Sequence, residues 1–267
     1  MLLLIDAGNT RIKWALADDG AGLGAWAASG ELVHAELAQL PATLQLALSG
    51  RTVSRALISN VAGDASGLSL RAALGHVLQQ GPGQARPATE ISWFASLPQL
   101  AGVKNGYRNP AQLGCDRFAA AIGARACQPG RALIVATCGT ATTIDAITPD
   151  GAFIGGMILP GLGLMASSLA RNTAQLPQVG SDAAIRAGFA DNTDDAIIQG
   201  CLAAQAGAIE RACAAHPSAH ATDAVLCMLS GGAARFIAPH LAVPHQMTAN
   251  IVLIGLQAAA NSKEHPC

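Results

Sequence analysis

Short apolar runs closed by Gly, Asn, Asp or Pro alternate along this chain with longer stretches of helical periodicity, which predicts a mixed α/β protein. Leu2 to Asp6 is apolar and ends in D-A-G-N-T, the pattern of a buried strand entering a tight turn. Arg11 to Ala17 and Ala25 to Glu31 read as two more strands, joined through D-D-G-A-G-L-G. A helix is expected near Ala35 to Leu48, then a strand at Ala56 to Asn60 and a helix near Leu68 to Leu78. Gly81 to Pro98 is rich in Gly, Pro and Ser, which predicts a loop with one short strand. A further helix opens near Asp116 and stops at Pro129-Gly130.

The second half starts the pattern again. Ala132 to Ala136 is an apolar strand running into T-C-G-T-A-T-T, Thr142 to Thr148 continues as a strand, and Gly151 to Ile158 is a third. A helix follows the Pro160-Gly161 break. Ala224 to Leu229 is a strand ending in S-G-G, with a short helix from Ala233. The openings L-L-L-I-D-A-G-N-T and L-I-V-A-T-C-G-T-A match as strand, polar residue, small residue, glycine, then amide or hydroxyl side chains. An internal duplication of a β-β-β-α-β-α unit is the expectation, with two ribonuclease H-like domains at 1–117 and 118–267. Two such halves facing each other across an interdomain cleft are the architecture of the actin and sugar-kinase (ASKHA) superfamily. The S-G-G glycines would let backbone approach a ligand closely, as this fold does for adenosine.

Composition narrows the partners. Sixteen basic residues stand against seventeen acidic ones without clustering, so neither nucleic acid nor an anionic membrane is indicated. Charged residues are 12% of the chain, about half the roughly 25% of ordinary soluble domains. Hydrophobic residues reach 51%, so part of the surface is expected to be covered by a second copy of the chain. Gly151 to Ala170 is long enough for a membrane span but contains five glycines and Pro160. The apolar stretch Gln246 to Ser262 carries Gln246, Asn250, Gln257 and Asn261, the mark of a buried helix instead. The chain opens directly into a strand with no leader pattern, so a cytoplasmic protein without membrane spans is expected. Seven cysteines with no C-x-x-C pair form neither a disulfide framework nor a zinc site. His216 and His220 flank Pro217, which predicts a turn and not a metal pair.

Two segments carry candidate chemistry. In D-A-G-N-T-R-I-K, Asp6 at a strand end can hold Mg²⁺, the Gly8 amide can face a phosphate oxygen, Asn9 and Thr10 add donors, and Lys13 adds charge. The same residues also suit an ordinary hairpin turn, but the echo at Gly139 and Thr140 favours phosphate. In G-C-D-R, Asp116 stands at a helix start, where it serves either as a plain cap or as a base toward an attacking hydroxyl. Arg117 beside it can grip an anion. The letters G-A-G-L-G-A at Gly20 to Ala25 mimic a dinucleotide fingerprint but join two strands, and there is no phosphate-binding GxxxxGK[ST] loop or nucleophile elbow.

Taken together, D-A-G-N-T-R-I-K, Y-R-N-P-A-Q-L-G-C-D-R, C-G-T-A-T-T-I-D and G-G-M-I-L-P-G-L resemble the type III pantothenate kinases, the Bvg accessory factor family, in order and spacing along nearly the whole chain. The resemblance implies phosphorylation of pantothenate by Mg-ATP to 4′-phosphopantothenate, the first step of coenzyme A synthesis, in a homodimer. It implies that Asp6, Ala7, Gly8, Asn9, Thr10, Arg11, Ile12 and Lys13 form the first phosphate segment, with Asp6 serving Mg²⁺. By the same resemblance Gly139 and Thr140 contact ATP, and Asp116 is the proton acceptor. Tyr107, Gly114, Cys115, Asp116, Arg117 and Thr193 would contact pantothenate. One position departs from the family pattern: its second phosphate segment reads Asp-x-Gly-Thr, whereas this chain has Thr137-Cys138-Gly139-Thr140. That carboxylate is linked in the family to K⁺ or NH₄⁺, so Thr137 offers such an ion a hydroxyl without charge, with Asp145 as a partial substitute. A catalytically impaired, regulatory relative is the rival reading, and survival of Asp6 and Asp116 argues against it.

Overall fold

Strand β1 (Leu2–Ala7) runs antiparallel to β2 (Arg11–Ala17), which pairs in turn with β3 (Ala28–Val33). A 3₁₀ turn at His34–Gln39 leads into α1 (Leu40–Leu48). The single helix expected over this stretch is split because Pro41, in the first turn of α1, has no N–H to continue a ladder from the turn before. β4 (Arg55–Asn60) lies parallel to β1, α2 spans Asp64–Leu78, and β5 (Glu90–Trp93) closes a sheet of order β3-β2-β1-β4-β5. A small hairpin, β6 (Gln99–Leu100) and β7 (Val103–Asn105), precedes α3 (Cys115–Cys127). The structure, a computed structural model, describes residues 1–78, 89–180, 189–221 and 224–262, so part of the expected Gly81 to Pro98 loop lies outside the described residues.

Alternation along the strands sorts the side chains of this sheet. Leu3, Ile5, Ile12, Trp14, Leu16, Ala56 and Ile58 pack with Leu40 and Leu44 of α1 and Leu70 and Leu74 of α2. Leu2, Leu4 and Leu57 point to the opposite face, whose cover comes from α3 and the last helix of the chain.

The second sheet repeats the pairing. β8 (Leu133–Cys138) lies antiparallel to β9 (Ala141–Ile147), which pairs with β10 (Ala152–Pro160). Two helices follow, α4 (Leu162–Asn172) and α5 (Thr193–Ala215). β11 (Leu226–Ser230) is parallel to β8, the four-residue α6 (Ala234–Ile237) follows, and β12 (His245–Met247) gives the order β12-β11-β8-β9-β10. β1 sits between antiparallel β2 and parallel β4, just as β8 sits between antiparallel β9 and parallel β11. The duplication expected from the two strand openings is therefore present in the hydrogen-bonding pattern. The 23-residue α5 had no counterpart in the sequence reading. Its buried stripe of Ile197, Ile198, Cys201, Leu202, Gln205 and Ile209 has helical spacing, but Ala and Gly on its other sides blur the polar contrast.

The chain then returns. α7 (Ile251–Asn261) joins residues 1–127 as one compact unit, Met1–Cys127 with Ile251–Cys267, while Gln128–Asn250 forms the other. The 117/118 division expected from the sequence falls inside α3. α7 is shorter than the expected Gln246 to Ser262 helix because Gln246 and Met247 belong to β12 and Asn250 adopts a left-handed φ of 53°. α3 and α7 cross backbone to backbone: a Cβ on Gly255 would collide with the Ala119 carbonyl, and one on Gly123 with the Ile251 carbonyl. Buried Gln257 of α7 accepts from the Gly24 amide (2.9 Å) and Trp26 Nε1 (3.1 Å) and donates to the Gly22 carbonyl (3.1 Å). This tether holds 24–26 as a loop, so β3 starts at Ala28 and not at the expected Ala25. Among the described residues no helix is long and apolar enough to cross a membrane; Gly151 to Ala170 divides into β10 and α4.

Candidate active site

Three strands of the first unit bring one row of polar side chains together. Asp6 is register partner to Lys13 on β2 and to Ser59 on β4, so all three stand side by side on the face that α3 and α7 cover. The Ser59 hydroxyl lies 3.4 Å from Cys115 Sγ, and that thiol also donates to the Asn60 carbonyl at 3.6 Å. These contacts seat the first turn of α3 over the carboxylate of Asp6. Burial first, and then the negative charge of Asp116, push the Asp6 carboxyl up to about 7 against the pull of Lys13.

Asp116 lies in that first turn. Its Oδ1 accepts the Arg117 amide at 2.8 Å, so it does serve the helix start. Burial nevertheless raises its pKa above the ordinary 3.8, opposed by that hydrogen bond and by the Arg117 charge. Gly114 leaves the room: a Cβ there would sit 2.7 Å from Asp116 Oδ1. Arg117 is 6% exposed, donates from Nη1 to the Tyr107 hydroxyl at 2.8 Å, and has its guanidinium carbon 5.6 Å from the Tyr107 ring centre. Asp6, Lys13, Tyr107, Gly114, Cys115, Asp116 and Arg117 thus all belong to one unit.

At the other end of that row the chain turns. The Gly8 amide donates to the Arg11 carbonyl at 3.0 Å, which leaves Asn9 and Thr10 exposed at the tip. Ala7 is buried, Ile12 is buried in the α1/α2 core, and Arg11 pairs with Glu31 of β3.

The second unit carries the matching turn, closed by the Gly139 amide on the Ala141 carbonyl at 3.0 Å, with Gly139 and Thr140 exposed. Two glycines press on it. The Gly161 amide donates to the Thr140 carbonyl at 2.9 Å, and a Cβ on Gly161 would come within 2.6 Å of that oxygen. Gly231, with φ of 93°, packs against Cys138 so closely that a side chain would collide with its carbonyl. Thr137 takes the place that Asp6 has in the first unit. Its register partners are Thr143 and Ser230, which makes a row of three hydroxyls. Asp145, 1% exposed, stands opposite Val135 as the diagonal neighbour of Thr137. Thr193 opens α5 after the Asn192 cap and lines a cavity of about 860 Å³ with Pro160, Met165, Leu169 and Asn192.

Ser59 and Ser230, the hydroxyl neighbours of Asp6 and Thr137, were not singled out from sequence. Each pairs with the residue one before the end of β1 or β8, and equivalence of the two halves is the signal that would have found both. Among the described residues no three His, Cys, Asp or Glu side chains gather to hold a metal by themselves. A divalent ion held through one or two carboxylates and substrate phosphates fits such a donor set. A shielded Asp6 beside a second carboxylate, with Lys13 as its counter-charge, suits that ion.

A solved structure from Sinorhizobium meliloti, provisionally described as a 2-dehydro-3-deoxygalactonokinase, matches with a TM-score of 0.59 at 17% identity over 97% of this chain and 98% of its own. One from Campylobacter jejuni, provisionally described as a Baf family transcriptional activator, matches with 0.57 at 18% identity over 96% and 95%. These likenesses show that the chain shares the fold of both solved structures. The type III pantothenate kinase from Herminiimonas arsenicoxydans is 56% identical over 263 residues, 97% of both chains. That from Janthinobacterium sp. (strain Marseille) is 53% identical over 270 residues, the full length of both. With the Type III pantothenate kinase family model matching residues 2–215 as well, this chain belongs to the type III pantothenate kinase family.

Proposed function

We propose that the chain transfers the γ-phosphoryl group of ATP to the terminal hydroxyl of pantothenate, giving 4′-phosphopantothenate and ADP, the first step of coenzyme A biosynthesis. The observation that carries this reading is the pair of shielded carboxylates, Asp6 and Asp116, whose charges act on each other in one unit. Asp116 takes the hydroxyl proton as the pantothenate oxygen bonds to the γ-phosphorus and the bond to ADP breaks. Arg117, fixed by Tyr107, meets negative charge on pantothenate or on the moving phosphoryl group. Gly114 and Cys115 set the position of Asp116, and Thr193 contacts substrate. Backbone amides at Gly8 to Thr10 and at Gly139 and Thr140 receive phosphate oxygens, with Lys13 adding charge. Asp6 would hold Mg²⁺, which supplies neutralising charge to the ATP phosphates when bound. At the second turn, the hydroxyl row centred on Thr137 offers K⁺ or NH₄⁺ a neutral site, so dependence on such an ion is expected to be weak.

The protein is further read as a cytoplasmic homodimer. Ile154, Met157 and Ile158 of β10 and Leu164 of α4 are 41–65% exposed, an apolar surface that a second copy would cover.

ADP release with Mg-ATP, with and without pantothenate and in K⁺, NH₄⁺ or Na⁺, tests the reading. Pantothenate-dependent release that varies little among the three salts is expected. Asp116→Asn keeps the oxygen that accepts the Arg117 amide, so it should fold normally while losing about 10²–10⁴-fold in kcat. Near-normal turnover in that variant removes Asp116 as the base.

A further inference from the structure

One side chain outside all the sequence motifs reaches the first phosphate turn. His34, just past β3, places Nε2 at 2.8 Å from the Gly8 carbonyl oxygen. A carbonyl only accepts, so Nε2 carries a proton and donates it, while Nδ1 lies 3.4 Å from Ser66 Oγ of α2. The turn carrying His34 is itself fixed, because Glu36 Oε2 accepts the Val33 amide at 3.2 Å. Both polar groups of Gly8 are thereby held, its amide by Arg11 and its carbonyl by His34.

Peptide geometry carries the consequence to the ligand. The Gly8–Asn9 bond is trans and planar, so the Asn9 N–H points opposite to the Gly8 C=O. Drawing the carbonyl toward His34 aims the Asn9 amide away from His34 and α2. Without that anchor, a peptide next to glycine can rotate at small cost and lose its aim.

We propose that His34 is a positioning residue for the nucleotide: it holds the Gly8–Asn9 peptide so that the Asn9 amide is presented to an ATP phosphate oxygen. The proposal rests on the reading of Asp6 to Lys13 as a phosphate segment. It assigns His34 an effect on ATP and none on pantothenate.

The test compares wild type, His34→Ala and His34→Gln as full chains. ATP affinity is measured by calorimetry without pantothenate, alongside KM for both substrates and the melting temperature. His34→Ala is expected to weaken ATP binding about tenfold, one hydrogen bond's worth, and to raise KM for ATP equally while KM for pantothenate stays put. Glutamine, whose amide N–H reaches a similar place, should restore ATP affinity to within about twofold of wild type. Unchanged ATP affinity in His34→Ala overturns the proposal. So does equal impairment of both variants, since that reports lost packing in place of a lost donor. A wild-type chain that binds ATP but shows no pantothenate-dependent turnover refutes the kinase reading alone, and the ATP affinities still decide the role of His34.

Discussion

Replacing Asp6 by Asn should make the metal-free protein more stable above neutral pH while abolishing its activity. The Asp6 carboxyl is moved from its ordinary 3.8 to about 7, chiefly by burial. A folded-state value above the unfolded one means that protonated Asp6 stabilises the fold below pH 3.8, and that this stability is lost as pH rises through 7. Over the full window the loss is about 4 kcal/mol, at about 1.4 kcal/mol for each pH unit between the two values. Asparagine keeps the shape and never ionises, so the variant escapes that loss. Between pH 5 and pH 8 its advantage should widen by about 3 kcal/mol, or about 6–12 °C in melting temperature for a chain of this size. Thermal unfolding followed by circular dichroism in EDTA across that range measures it. Added Mg²⁺ should then raise the melting temperature of wild type at pH 8 and leave Asp6→Asn unmoved. A stability gap that does not change with pH, or a variant less stable than wild type at pH 8, refutes the argument from burial.

Two further outcomes follow from the same geometry. Gly255→Ala forces a methyl against the Ala119 carbonyl where α3 and α7 cross, and should cost more than about 3 kcal/mol in urea unfolding; Gly163→Ala, with nothing within 4 Å of the added carbon, is the neutral control. The kcat/KM profile should show an acidic limb above the ordinary 3.8 of a carboxylate, because Asp116 must be ionised to take a proton and burial holds its pKa up. An acidic limb at or below the ordinary 3.8 contradicts that role.

Strands were the most legible elements, because an apolar run closed by a turn motif needs only local information. Arg11 to Ala17 matches the observed β2 end to end, and Asp6 and Lys13 could be set at one turn from sequence alone. Helix boundaries and partners were less legible where long-range contacts decide them. Gln257 acts on Gly24 from more than two hundred residues away and holds the start of β3 back. α5 hid because alanine and glycine fill the sides that usually carry charge. In the site, the motif residues were readable as motifs, but their supports were not. His34 meets Gly8 only because β3 folds back along β2, and Ser59 meets Asp6 only through a parallel pairing across α1. Asp116 had two open readings, cap or base; the structure shows the capping contact with the Arg117 amide and a carboxyl raised by burial.

The place of α7 has a consequence for synthesis. Residues 128–250 form a unit with no later element to wait for, whereas the unit holding Asp6 and Asp116 takes its last helix from Ile251–Asn261. During translation at about 5–20 residues per second, the sheet face carrying Leu2, Leu4 and Leu57 has only α3 to cover it until α7 has left the ribosome. The half of the protein that is made first is therefore the half that finishes folding last.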